Sequence, residues 1–240
     1  MDTMVAVTGG SHGLGAALLA GAPADARLLD ISRSGPSVPG REVGHLRADL
    51  SDPGTWSDVG RRLTEEMAGA PGRLVFWHAA GTIAPLGFAG EVDTAAYTDN
   101  VLLNAACGQV LGAHVLGAMG ASSAPRRELV LISSGAARKA YPGWSAYGAG
   151  KAALDHWARA VHEEQALRGG VRVLSVAPGV VATAMQEQIR ATAVRDFPEV
   201  ERFHELHRRG ELEDAHEVAE RLWRLLDEPD LPPVVDLRDH

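Results

Sequence analysis

Seven short runs rich in β-branched and other apolar residues alternate with longer helix-forming stretches along the whole chain. The runs are Met4–Thr8, Arg27–Ser32, His45–Ala48, Leu74–His78, Glu128–Ser133, Val171–Ala177 and Pro233–Leu237. Several are continuously apolar, as strands covered on both faces are. Helical segments fall near 13–21, 56–69, 92–120, 145–168 and 214–228. The second of them follows Ser51-Asp52-Pro53, with Asp52 as N-cap and Pro53 at the first helical position. Such alternation implies right-handed crossovers into a parallel, doubly wound α/β sheet of about seven strands with helices on both faces. The chain of 240 residues has no repeat, and its longest loop, around Ser34 to Gly44, is too short to separate domains. Residues 1–240 therefore read as one domain.

Residues 182–213 break the rhythm. They are charged, contain Phe197-Pro198, and predict one or two short helices outside the sheet. They follow the sixth strand at its carboxyl end, the edge where an open α/β sheet binds its ligand, so they read as a substrate lid.

Composition narrows the partners. Acids number 31 and bases 23 for a net charge of -8, and residues 187–240 alone hold 15 acids against 8 bases. No basic stripe exists, which argues against nucleic acid. One cysteine, Cys107, leaves no intrachain disulfide and no cysteine-based zinc site. The start, MDTMVAVTGG, lacks the pattern of a signal peptide. Val101 to Ala124 carries no charge, but Asn104, Gln109, His114 and four glycines favour a helix buried by protein over one facing lipid. The expectation is a cytoplasmic protein without a membrane span.

The first strand runs into Thr8-Gly9-Gly10-Ser11-His12-Gly13-Leu14-Gly15, and a helix follows. Gly9 permits a tight turn, Gly13 lets the backbone approach a pyrophosphate, and Gly15 lets helix and strand pack closely. The helix N-terminus then offers N–H groups and a favourable dipole to phosphates. In dinucleotide enzymes the end of the second strand selects the cofactor: an acid there binds the ribose hydroxyls, whereas a cation pairs with a 2′-phosphate. Here the string is Leu29-Asp30-Ile31-Ser32-Arg33-Ser34. An end at Asp30 favours NAD(H); an end at Ser32, with Arg33 beyond it, favours NADP(H). Counting from Arg27 puts the end near Ser32, so NADP(H) is the preferred reading and NAD(H) the alternative.

Tyr147 and Lys151 lie four residues apart, on one face if helical. A free tyrosine has a pKa of about 10, too high for efficient acid/base work near neutrality, and a nearby lysine cation lowers it. The chain has three tyrosines, and only Lys139 and Lys151 among its 23 bases are lysines, so chance at this spacing is less credible than usual. Lys139 reads as a loop cation near the site mouth.

The glycine string with the Tyr147/Lys151 pair resembles the classical short-chain dehydrogenase/reductase family, over nearly the whole chain. The resemblance implies a single-domain Rossmann fold and an NAD(P)-dependent oxidoreductase. It implies that Ser11, His12 and Leu14 join the glycines around the cofactor. Asp49 and Leu50 then meet the adenine, Ala80 and Gly81 line the site, and the turn Pro178-Gly179 with Val181 and Thr183 borders the nicotinamide. Where the family has Asn-Asn-Ala-Gly this chain has His78-Ala79-Ala80-Gly81, and His78 reads as structural. The serine-to-tyrosine spacing selects Ser134, over Ser133, as the residue that bonds the substrate oxygen. Asn104 matches the fourth catalytic member, which holds a water linking Lys151 to solvent, or else satisfies a backbone group at a helix kink. Tyr147 and Lys151 also touch the cofactor. Ala136, Tyr141, Trp144 and Met185, with Ser134 and Tyr147, form a mainly apolar substrate pocket for a hydrophobic ketone or diketone.

The implied reaction is reversible reduction of a small-molecule carbonyl to an alcohol. The Ile31–Ser34 string and the stretch 140–151 resemble sepiapterin and benzil reductase relatives. Rival readings are an NAD(H)-dependent alcohol dehydrogenase, an epimerase or dehydratase, and a non-catalytic sensor of nicotinamide redox state. Epimerases need a larger C-terminal domain, and a sensor would not need both Tyr147 and Lys151. The helices at 101–124 and 145–168 predict a homodimer or homotetramer.

Overall fold

A computed structural model of the chain describes residues 3–36, 38–68 and 72–240. Seven strands, β1 Thr3–Thr8, β2 Arg27–Ser32, β3 Gly44–Arg47, β4 Arg73–His78, β5 Arg126–Ile132, β6 Arg172–Ala177 and β7 Val234–Asp236, form one sheet in the order β3-β2-β1-β4-β5-β6-β7. Every pairing is parallel. The strand order reverses between β1 and β4, which opens a crevice beyond their carboxyl ends.

Alternate residues of each strand face opposite layers. Met4 and Ala6 of β1 join Phe76 and Leu129 in a core with α2 Trp56–Ala68, α4 Gly108–Gly120 and α5 Ser145–Arg168. Val5 and Val7 join Trp77 and Val130 in a second core with α1 Gly13–Ala20 and α8 Ala215–Leu225. Phe76 and Trp77 are completely buried, each contributing about 2–3 kcal/mol by removal of its ring from water. The expected doubly wound, single-domain architecture is present. The last position of the expected 56–69 helix lies outside the described residues.

The boundaries that shift do so for physical reasons. β5 begins at Arg126, earlier than its apolar run, because Arg73 and Arg126 both reach the buried carboxylate of Glu128 at 3.0 Å and let charged residues join the ladder. The expected helix 92–120 is three pieces: α3 Thr94–Val101, a π-helical stretch Leu102–Cys107, and α4. Asp93 caps α3 by accepting from the Ala96 N–H at 2.8 Å. The run Thr94–Ala121 is long and apolar enough to cross a membrane by length and composition. In this fold Leu111, Val115 and Met119 seat it in the first core.

Residues 182–213 form α6 Ala184–Arg190 and α7 Val200–Arg208, both outside the sheet. The excursion closes on itself: Ala182 N–H donates to the Glu213 carbonyl and Glu213 N–H to that of Val180, both at 2.9 Å.

Candidate active site

The crevice is a cavity of about 910 Å³ beyond the carboxyl ends of the central strands. Every site residue inferred from the sequence lines it except Asn104. Its floor is the turn from β1 into α1. Gly9 and Gly13 have φ of 74° and 58°, a region where a side chain is strained. A Cβ on Gly15 would collide with the Gly9 carbonyl oxygen, so only glycine lets the helix sit this close to the loop. These positions leave a backbone-walled cradle at the α1 N-terminus, the environment a pyrophosphate requires. The residues present therefore fit a dinucleotide.

β2 extends through Ser32. Asp30 is fully buried and faces inward. It accepts from the Gly10 N–H at 2.8 Å, the Ser32 hydroxyl at 2.6 Å and His45 Nδ1 at 2.9 Å. It clamps the glycine loop to the sheet. Arg33, just beyond the strand, is exposed on the cavity wall. Asp49 lies across from it. Hydrogen bonds from Ser51 hold the Asp49 carboxyl below its ordinary range, with a smaller contribution from Arg33.

Ser134 follows β5 and accepts from the Ala136 N–H at 3.1 Å. The side chains of Tyr147 and Lys151 come from the first turns of α5, and both residues are buried. Burial pushes the Tyr147 phenol above its ordinary value, and the Ser134 hydroxyl beside it pulls in the opposite direction. This corrects the expectation of a phenol lowered by Lys151. The ammonium stands 5.8 Å from the ring centroid and donates to the Ile132 carbonyl at 2.8 Å, so in this structure desolvation dominates. Burial likewise lowers Lys151 to about 8, opposed by Asp155 one turn further along the helix. Asp155 is itself buried and accepts from the Ser175 hydroxyl at 2.7 Å. Sequence reasoning missed it, although residues 147, 151 and 155 share one helical face.

Asn104 sits in the π-helical stretch behind the cavity wall. Its Nδ2 donates to the Thr82 carbonyl at 2.7 Å and to Asn100 Oδ1 at 2.9 Å, and its Oδ1 accepts from the Thr82 N–H at 3.1 Å. Both amide donors are spent on protein, so the side chain fixes the segment after β4, while its Oδ1 keeps a second lone pair. His78 is fully buried, with Nδ1 against the Thr8 hydroxyl at 3.0 Å. Burial first and Lys151 second bring it down to about 3, which keeps it neutral.

On the substrate side, Trp144 and Ala136 pack with Ile83 after β4 and with Phe197 and Phe203 of the α6–α7 excursion, and Tyr141 and Met185 border this cluster. A ring ladder leads outward from Tyr147 to Trp144 at 5.9 Å and on to Tyr141 at 4.8 Å. Lys139 has a structural partner after all: it reaches Glu199 at 3.1 Å and lies over the Tyr141 ring. Within residues 187–240 the charged side chains on the cavity wall are Arg202, Asp236 and Arg238.

The family model for short chain dehydrogenases matches residues 3–194. The chain belongs to the short chain dehydrogenase family. Its parallel seven-stranded sheet flanked by helices is a Rossmann-like fold. Among this family's members, the chain is 35% identical over 149 residues to a benzil reductase ((S)-benzoin forming) of Bacillus subtilis, 62% of this chain and 61% of that protein. It thus spans less than two thirds of that relative's length. To the sepiapterin reductase of Rattus norvegicus it is 33% identical over 243 residues, covering 92% of this chain and 89% of the relative. In shape it is similar to the KRED1-Pglu enzyme, with a TM-score of 0.80 at 26% identity and coverage of 95% and 96%.

Proposed function

We propose that this short chain dehydrogenase is an NADPH-dependent carbonyl reductase acting on hydrophobic ketones or diketones. The observation that carries the reading is the buried Tyr147 phenol, raised in pKa, beside the Ser134 hydroxyl. A phenol held protonated in a water-poor pocket suits donation to a carbonyl oxygen, the acid half of a reduction.

Ser134 and Tyr147 would bind the substrate oxygen and orient its carbon toward the glycine-loop side. A bound nicotinamide supplies the hydride to that carbon. Tyr147 passes its phenolic proton to the oxygen as charge builds there, and Ser134 stabilises the same charge by hydrogen bonding. Lys151, positively charged, stabilises the phenolate left behind. The α6–α7 excursion acts as the lid over the apolar wall, excluding water. The names of the relatives, benzil reductase and sepiapterin reductase, support the direction and the carbonyl class.

NADPH is favoured because Asp30 is committed inward while Arg33 stands exposed on the wall shared with the glycine loop. Steady-state reduction of benzil with each cofactor tests both parts. The enzyme should consume NADPH with benzil. Arg33→Ala should raise the KM for NADPH by about tenfold or more, the scale of a lost charge-assisted bond, with little effect on NADH. Cofactor binding without turnover on any ketone would instead indicate a sensor, and equal effects on both cofactors would overturn the Arg33 assignment.

The lysine also sets a pH dependence. Lys151 loses its proton near pH 8, and with it the support for the phenolate. The kcat for reduction should therefore fall as pH rises through about 8. Asp155 holds that value up, so Asp155→Asn should move the descending limb to lower pH. A limb that stays in place would show that Asp155 does not sustain the lysine charge.

A further inference from the structure

We infer that the outer rim of the substrate cavity recognises a carboxylate carried on the far end of an otherwise apolar ketone. This rests on the carbonyl-reductase reading above.

The inner wall is aromatic and aliphatic, but the rim is cationic. Arg138, Lys139, Arg202 and Arg238 all line the cavity. They come from the loop after β5, from α7 and from the segment after β7, so three separate parts of the fold converge there. Two carboxylates bond them directly. Asp236 is buried and accepts two bonds from Arg238, at 2.8 and 2.6 Å, and another from Arg138. Glu199 takes Lys139 at 3.1 Å and Arg202 at 3.8 Å. Asp239 adds a third negative charge near Arg238, so four cations face three carboxylates and the rim stays positive in a chain whose net charge is -8.

A second guanidinium on a carboxylate already held by two bonds adds little to stability and is repelled by the first. Arg138 spends one donor on Asp236, so most of its five remain for another acceptor. Its side chain is 46% exposed and that of Arg238 55%, both open to an incoming group. The ring ladder from Tyr147 through Trp144 to Tyr141 connects the reacting centre to this rim, and the Tyr141 hydroxyl accepts from Arg202 at 2.7 Å. An aryl ketone lying along the ladder would bring a distal carboxylate to the guanidiniums, and their planar forks match that group. The cationic rim would also draw such substrates in from solution.

The test compares 4-carboxybenzil with its methyl ester, whose diketone centres are alike and whose para groups differ in charge. The acid should show a kcat/KM about tenfold above the ester, the scale of one charge-assisted bond. Added KCl should shrink that ratio. Arg138→Gln, which leaves Asp236 its two-bond partner, and separately Arg238→Gln, should each lower the ratio, with NADPH titration reporting that the cofactor site is folded. A wild-type ratio near or below one overturns the inference. So does a high ratio unchanged in both variants. Failure to reduce either compound or benzil itself overturns the reductase reading, and the inference falls with it.

Discussion

Replacing Tyr147 by phenylalanine is expected to lower the turnover of benzil at saturating NADPH by about three orders of magnitude, within the range contributed by a positioned general acid. That loss corresponds to about 4 kcal/mol in the barrier. The size follows from the absence of a substitute. Ser134 is an alcohol and far weaker as an acid. Lys151 is turned to the Ile132 carbonyl. His78 lies outside the cavity lining and is held neutral by burial. Tyr141, the other phenol on the wall, is at the rim and engaged by Arg202. The substitution removes only the hydroxyl, and the remaining ring would keep the Trp144 contact, so the fold and the NADPH affinity should stay close to the parent. Stopped-flow hydride transfer and a fluorescence titration of NADPH measure the two quantities. Residual turnover above about a tenth of the parent rate would remove Tyr147 from the acid role, because a general-acid loss is at least about a hundredfold.

Much of this arrangement is legible in the sequence because its signals are local. Strands buried on both faces leave continuous apolar runs, and the turn into α1 demands glycine where φ is positive or a Cβ would collide. The Tyr147/Lys151 spacing is one helical turn. What stays hidden depends on contacts between distant segments. The π-helical stretch at Leu102–Cys107 coincides with the bonds between Asn104 and Thr82, 22 residues apart, and 92–120 otherwise reads as one helix. The rim pair Arg138 and Asp236 is separated by 98 residues. Sequence alone misjudges the pKa of Tyr147 because spacing reveals a neighbouring charge but not the depth of burial, and desolvation is the larger effect here. Asp155 is within reach of a helical-face argument, since it continues the stripe of Tyr147 and Lys151.

Asp30 shows the same limit most sharply, and it carries the second large expectation. The string Leu29-Asp30-Ile31-Ser32 admits an acid facing the ribose or an acid facing the sheet, and only its partners separate the two. The carboxylate has no exposed surface and holds three groups, among them the N–H of Gly10 in the glycine loop. The space beside Gly10 is filled by that carboxylate and by Leu19, so loop, strand and helix meet there. Asp30→Ala removes the acceptor and leaves the Gly10 N–H without a partner, while the Ser32 hydroxyl keeps the Ser34 carbonyl at 2.7 Å. An unsatisfied buried N–H costs about 1–3 kcal/mol and the space left by the carboxylate adds to it, so the loss should be about 3 kcal/mol in all. For a domain of this size that lowers Tm by about 10 °C. Cofactor affinity should weaken for NADPH and NADH alike, because a loosened loop serves both pyrophosphates equally. Thermal unfolding and paired KM measurements separate this from the alternative. A variant that keeps its Tm but changes its NADPH-to-NADH preference by about tenfold would return Asp30 to the ribose. The inward-facing carboxylate predicts the reverse, a less stable protein with its preference intact, and leaves Arg33 as the residue that sets the choice.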